Sequence, residues 1–258
     1  MVLIKKKELF FMDIKNKTIN FLGDSITEGH GATSNEKCFV SLIGERTGAI
    51  VRNYGIGGTR IARQNAEDEF EKRGNFCDRM RNMEDSDVMV VFGGTNDFGH
   101  GDAPMGEFSD RDDRTFYGAC HTCFSYLAEK YAGKPVFIIT PLHRDGEFDK
   151  SNNKNGLLLT DYISAIIKVA RYYSIPVLDL YSEYGVTPVI DSVRERFMPD
   201  GLHPSDAGHS LLADKIIAYI FDLNGNIKNI FPLIVPIFTV HPAPNLLLTK
   251  SDGSSGLL

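Results

Sequence analysis

Five short apolar runs punctuate the chain: residues 18–24 (TINFLGD), 50–55 (IVRNYG), 87–94 (DVMVVFGG), 135–140 (PVFIIT) and 175–180 (IPVLDL). Each is rich in Val, Ile, Leu or Phe, and most are bounded by Gly, Pro or Asp, the pattern of a strand. The runs are nearly continuous rather than alternating, which suits strands covered on both faces. Between them lie segments with helical spacing, near 37–47, 75–84, 113–131 and 157–173. A last one covers 206–222, where Leu211, Leu212, Ile216 and Tyr219 recur at helical spacing and Ser205 or Asp206 is placed to cap the start.

Strands alternating with helices predict an α/β fold, a parallel sheet with helices on both faces. Right-handed crossovers bring every strand's C-terminal end to one edge, where such sheets bind ligands. Two long loops fall on that edge, residues 98–112 and 141–156. Loops of this length in a compact domain commonly carry function, and these two are expected to wall or cover a pocket.

The pattern stops at both ends. Residues 1–17 form an N-terminal extension, residues 18–223 the patterned domain and residues 224–258 a tail. The tail holds four of the 11 prolines and the apolar stretch IFPLIVPIFTV. That stretch is too short and too interrupted by proline to span a membrane. An extension packed on the domain or on a neighbouring subunit is expected, so a homo-oligomer joined through the tail is one prediction. The N-terminus lacks an apolar core of signal-peptide length and a small-residue cleavage site. A cytoplasmic protein is therefore expected, with no membrane partner, and Met12 is a candidate alternative start.

Composition narrows the class. The formal net charge of −6 over 258 residues, with no clustered basic face, argues against nucleic acid as a partner. Four cysteines in a chain this long do not make a disulfide framework. Cys120 and Cys123 form one C-x-x-C inside a predicted helix, without a second ligand pair. They read as buried small side chains rather than as a metal or redox centre.

The chemistry sits where the strands end. Ser25 follows the first strand in GDSITEG. A serine hydroxyl is a weak nucleophile that needs a base within hydrogen-bond reach and donors for the oxyanion it creates. On its own, Ser25 reads better as a helix-capping residue than as a nucleophile. After the second strand, Gly57 and Gly58 let a backbone amide approach a ligand closely. After the third, Asn96 can donate its side-chain amide, the alternative being an Asx turn. Before the last helix, Asp200 and His203 stand three residues apart in a short loop. That spacing lets the carboxylate hold one imidazole nitrogen while the other faces the serine. His209 reads as an ordinary helix residue.

Taken in order, GDSITEG (23–29), NYGIGG (53–58), GTND (94–97) and DGLH (200–203) resemble the four blocks of the SGNH hydrolases, the GDSL-like lipase/acylhydrolase superfamily. The resemblance spans residues 18 to about 222. It implies a flavodoxin-like three-layer α/β/α sandwich with a five-stranded parallel sheet, in agreement with the five apolar runs. It implies a triad of Ser25 as nucleophile, His203 as general base and Asp200 as third member. The implied oxyanion hole is the amide of Ser25, the amide of Gly58 and the side chain of Asn96. Gly57 is the alternative to Gly58, whose spacing from Asn53 fits better. Asp24 and Asp97 are expected to brace the turns beside Ser25 and Asn96, and neither metal nor cofactor is called for.

For the substrate, the two long loops offer His100, Asp102, Glu107, Asp110, Arg111, His143, Arg144, Asp145 and Glu147. Polar walls suit a hydroxyl-rich alcohol with a small acyl group better than a fatty chain. Many proteins of this resemblance deacetylate carbohydrates, so a short-chain esterase acting on an acetylated sugar is expected. A thioesterase or lysophospholipase using the same residues is the nearest alternative, with Phe98, Met105 and Phe108 placed to line an acyl groove. A non-catalytic binding module on the same fold would have no need of the triad. A flavin protein would carry a Ser/Thr-rich phosphate loop, where this chain has bulky Ile26 and Glu28.

Overall fold

The computed structural model describes residues 14–223. The tail 224–258, the oligomer contact expected of it, Met12 and all but the last four residues of the N-terminal extension lie outside the described residues.

Five parallel strands form one sheet: β1 (Thr18–Gly23), β2 (Ile50–Gly55), β3 (Val88–Phe92), β4 (Val136–Ile139) and β5 (Val177–Leu178), in the order β2-β1-β3-β4-β5. This is the flavodoxin-like order, with its switch point between β1 and β3. Register is continuous across the centre: Phe21 lies opposite Asn53 on one side and Val90 on the other. Successive side chains point to opposite faces, so each strand feeds two cores. Leu22, Met89, Val91, Val136 and Ile138 join one cluster. Ile19, Phe21, Val88, Val90, Phe92, Phe137 and Ile139 join the other.

The helices are α1 (Ser25–Glu28), α2 (Phe39–Thr47), α3 (Phe76–Arg79), α4 (Thr95–Gly99), α5 (Phe116–Lys130), α6 (Leu159–Tyr172), α7 (Leu180–Glu183), α8 (Asp191–Phe197) and α9 (Asp206–Leu223). Buried residues of α3, α5 and α6, among them Phe76, Phe124 and Ile166, cover the first face. Those of α2 and α9, among them Phe39, Ile43 and Ile216, cover the second. The result is the three-layer α/β/α sandwich. All four cysteines are buried and free. Burial pushes the Cys120 thiol well above its ordinary range and Cys123 up to about 12, so both act as small apolar side chains. Among the described residues, no helix is long and apolar enough to cross a membrane.

Candidate active site

Ser25 opens α1, a single helical turn. The capping role falls to Asp24, whose carboxylate accepts from the Ile26 amide at 3.0 Å. The Ser25 hydroxyl is therefore not used as a cap. It lies 2.9 Å from His203 Nε2. On the other side of the ring, His203 Nδ1 is 2.6 Å from Asp200 Oδ2. Asp200 Oδ1 accepts from the His203 and Leu202 amides at 2.7 and 2.9 Å, so the carboxylate is clamped to the loop that carries the imidazole. Burial alone would raise the Asp200 carboxyl, but the hydrogen bonds from His203 and Leu202 hold it below its ordinary value. With Asp200 ionised, Nδ1 carries the ring hydrogen and Nε2 is left to accept from Ser25.

The donors converge from neighbouring strands. Gly57 gives its amide to Glu28 Oε2 at 2.6 Å. The Gly58 amide has no partner among the described residues, which favours Gly58 over Gly57 as a free donor. Gly58 holds φ +76°, and a Cβ there would run into the Phe70 ring. Only glycine fits both the left-handed backbone and that ring. Asn96, in the first turn of α4, gives one N–H to the Thr59 carbonyl at 3.0 Å, which fixes its rotamer and leaves the second N–H free. Ser25, Gly58, Asn96 and His203 all line one open cleft of about 380 Å³.

Asp24 and Asp97 brace this edge from beneath. Asp97 accepts from the Ile61 and Ala62 amides at 2.9 and 3.0 Å, pinning the strand-β2 loop against α4. Burial raises Asp24 to about 7 and Asp97 to about 6, against the amides that favour their charged forms. His209 is a buried helix residue. It accepts from the Phe39 amide at Nδ1 and donates from Nε2 to the His30 carbonyl at 3.1 Å.

The long loops contribute less wall than the sequence suggests. From residues 98–112 only His100 reaches the cleft, and from 141–156 only Arg144. Asp102, Asp110, Asp145 and Glu147 are engaged elsewhere. Asp102 accepts from the Asn65 and Ala66 amides, Asp110 accepts from the Glu107 amide and Thr115, and Asp145 pairs with Arg194 at 2.7 Å. Glu147 is buried, accepting from His143 Nδ1 and the Arg144 amide. Nor do the proposed acyl-groove residues face the cleft. Phe98 is core, and Met105 and Phe108 pack against the same core cluster.

Sequence reasoning missed Glu28, His30, Phe70, Arg73 and Leu202. Phe70 and Arg73 lie in the polar run AEDEFEKRG, which has no period to mark it. A lone aromatic among charges was the one available signal.

A flavodoxin-like sheet carrying Ser, Asn and His at its C-terminal edge, beside the switch point, defines a class of α/β proteins. The chain belongs to the GDSL-like Lipase/Acylhydrolase family, whose model matches residues 21–211. Among solved structures it is similar to a protein of Lactobacillus plantarum, with 30% identity, TM-score 0.69, and coverage of 80% of this chain and 97% of that one. It shares its fold with a lipase/acylhydrolase of Enterococcus faecalis (23% identity, 80% and 96% coverage, TM-score 0.55). It also shares it with an acetyl xylan esterase (22% identity, 79% and 99% coverage, TM-score 0.54). No curated protein matches it by sequence.

Proposed function

We propose that the protein is a serine esterase that removes short acyl groups, chiefly acetyl, from carbohydrate alcohols. The observation that carries this reading is the aligned chain of hydrogen bonds from Ser25 Oγ through His203 to Asp200, at 2.9 and 2.6 Å. Ser25 Oγ attacks the acyl carbon while its proton passes to His203 Nε2. The oxyanion accepts from the Ser25 and Gly58 amides and from the free N–H of Asn96. Collapse of the tetrahedral intermediate expels the alcohol, which takes the proton from His203 and leaves an acyl-Ser25. Water, deprotonated by His203, then attacks the acyl carbon and releases the acid, restoring the Ser25 hydroxyl. Asp200 keeps the imidazole in the productive tautomer and stabilises the imidazolium.

The walls support a small acyl group and a polar alcohol. Phe70 and Leu202 are the large apolar side chains of the cleft; Arg73, Arg144, His30 and His100 are polar. A fatty chain would find little apolar surface there, which disfavours the thioesterase or lysophospholipase alternative. That the same fold serves an acetyl xylan esterase accords with a carbohydrate ester.

The test is hydrolysis of p-nitrophenyl esters from acetate to decanoate, with Ser25→Ala as the blank, followed by acetylated sugars. Activity should peak at acetate and vanish in the variant. A peak at long chains would overturn the substrate reading.

A further inference from the structure

Two arginines face the cleft of a chain that is acidic overall. The formal net charge is −6, yet Arg73 and Arg144 line the cleft and no carboxylate does; of its histidines, His30 pairs with Glu28 at 3.2 Å and His203 with Asp200 at 2.6 Å. Ion pairs among the described residues engage Arg46, Arg52, Arg60, Arg63 and Arg194. Neither cleft arginine has a carboxylate within that distance.

Arg144 is the more telling of the two. It gives Nη1 to the carbonyl and hydroxyl of Thr95, and its Nε is buried with no hydrogen-bond partner among the described residues. Burial lowers its pKa, and Asp24, Glu147, Asp145 and Asp200 oppose this only from beyond ion-pair distance. A guanidinium held half-buried beside a reaction site, without a counter-ion, is costly unless a ligand supplies one.

The wall continues from it. His100 Nδ1 accepts from Arg60 Nε at 3.1 Å, and Arg60 is itself buried and paired with Asp68. His100 therefore carries its hydrogen on Nε2 and is a neutral donor. Its ring meets Phe70 with centroids 5.0 Å apart, and the Arg73 guanidinium lies over the Phe70 ring, 5.1 Å from its centroid, while giving Nη1 to the Gly57 carbonyl at 2.9 Å.

We propose that Arg144, His100 and Arg73 form an anion subsite, which binds a carboxylate or phosphate on the alcohol half of the ester. The acetyl half has no charge to offer. That the charged group belongs to an ester rests on the serine-esterase reading; the anion subsite itself does not.

The test is calorimetric titration of the wild-type protein, at low ionic strength, with galactose, galacturonate and galactose 1-phosphate. One of the two anions should bind about tenfold or more tightly than galactose, and which one does so separates carboxylate from phosphate. Added salt should erode the advantage. Arg144→Gln and Arg73→Gln should each reduce it. Each ratio compares ligands on the same protein, so a partly unfolded variant does not distort it. Equal affinities in the wild type, or an advantage unchanged in both variants, would overturn the inference. Hydrolysis of p-nitrophenyl acetate is measured alongside. Hydrolysis without anion preference overturns the subsite alone, and anion preference without hydrolysis overturns the esterase reading alone.

Discussion

Replacing Asn96 with alanine separates a catalytic role from a structural one. The residue is 5% exposed, and its side chain gives one N–H to Thr59. The substitution removes that hydrogen bond, a loss of about 1 kcal/mol in stability. In a domain of this size that lowers the melting temperature by about 2–4 °C. The second N–H is free, and in the proposed reaction it meets the oxyanion. Loss of one such donor costs about 2.7–4 kcal/mol in the transition state, or 100- to 1,000-fold in kcat. The ground-state carbonyl makes weaker use of the donor, so KM should change little. The assay is steady-state hydrolysis of p-nitrophenyl acetate, with a thermal melt on the same preparation. A variant that melts a few degrees lower but keeps its kcat would show that Asn96 only fastens the loop to Thr59, and the oxyanion assignment would be wrong.

Three further outcomes are expected. Asp200→Asn should lower kcat by up to about 10⁴-fold, because the ring loses the acceptor that fixes its tautomer; circular dichroism should show the fold intact, and near-normal turnover would remove Asp200 from the site. Asp24 is raised to about 7, so the native state holds a proton that the unfolded chain releases from about pH 4 upward. That contribution is fully present below about pH 4 and is lost as pH rises to about 7; Asp24→Asn, neutral at every pH and still able to accept from the Ile26 amide, should gain melting temperature relative to wild type between about pH 5 and 8, and parallel curves would refute the shift. Gly58→Ala should cost stability and at least about tenfold in kcat, since a Cβ meets Phe70 and φ is +76°; Phe70→Ala in that background should recover part of both, and additive losses would point to backbone strain alone.

Much of this was legible in the chain. The run IVRNYG coincides with β2, and the helix expected at 206–222 is observed at Asp206–Leu223. Long apolar periods dominate the energetics of folding, so they leave a clear trace. Short elements do not. The strand expected over 175–180 shrinks to Val177–Leu178 because Pro176 lacks an amide donor and α7 begins at Leu180. The helix α8 buries no residue, so no hydrophobic period announces it. The one-turn helices α1 and α4 are too short to show any. At the site, residues that sit at strand ends in glycine-marked turns were visible, and Ser25, Gly58, Asn96 and His203 do meet in one cleft. The polar loop residues were misjudged because a carboxylate that fastens backbone, that of its own loop for Asp110 or of a distant segment for Asp102, looks the same in sequence as one that faces a ligand. Phe70 and Arg73 reach the cleft through a segment with no strand or long helix to place it.

The most direct test of the account is covalent. The protein is treated with a fluorophosphonate that reacts with activated serines, and its intact mass and peptide map are recorded. The account predicts a single adduct, on Ser25, abolished in Ser25→Ala and strongly slowed in His203→Ala. No adduct, or one on another serine, would contradict a nucleophile activated by His203.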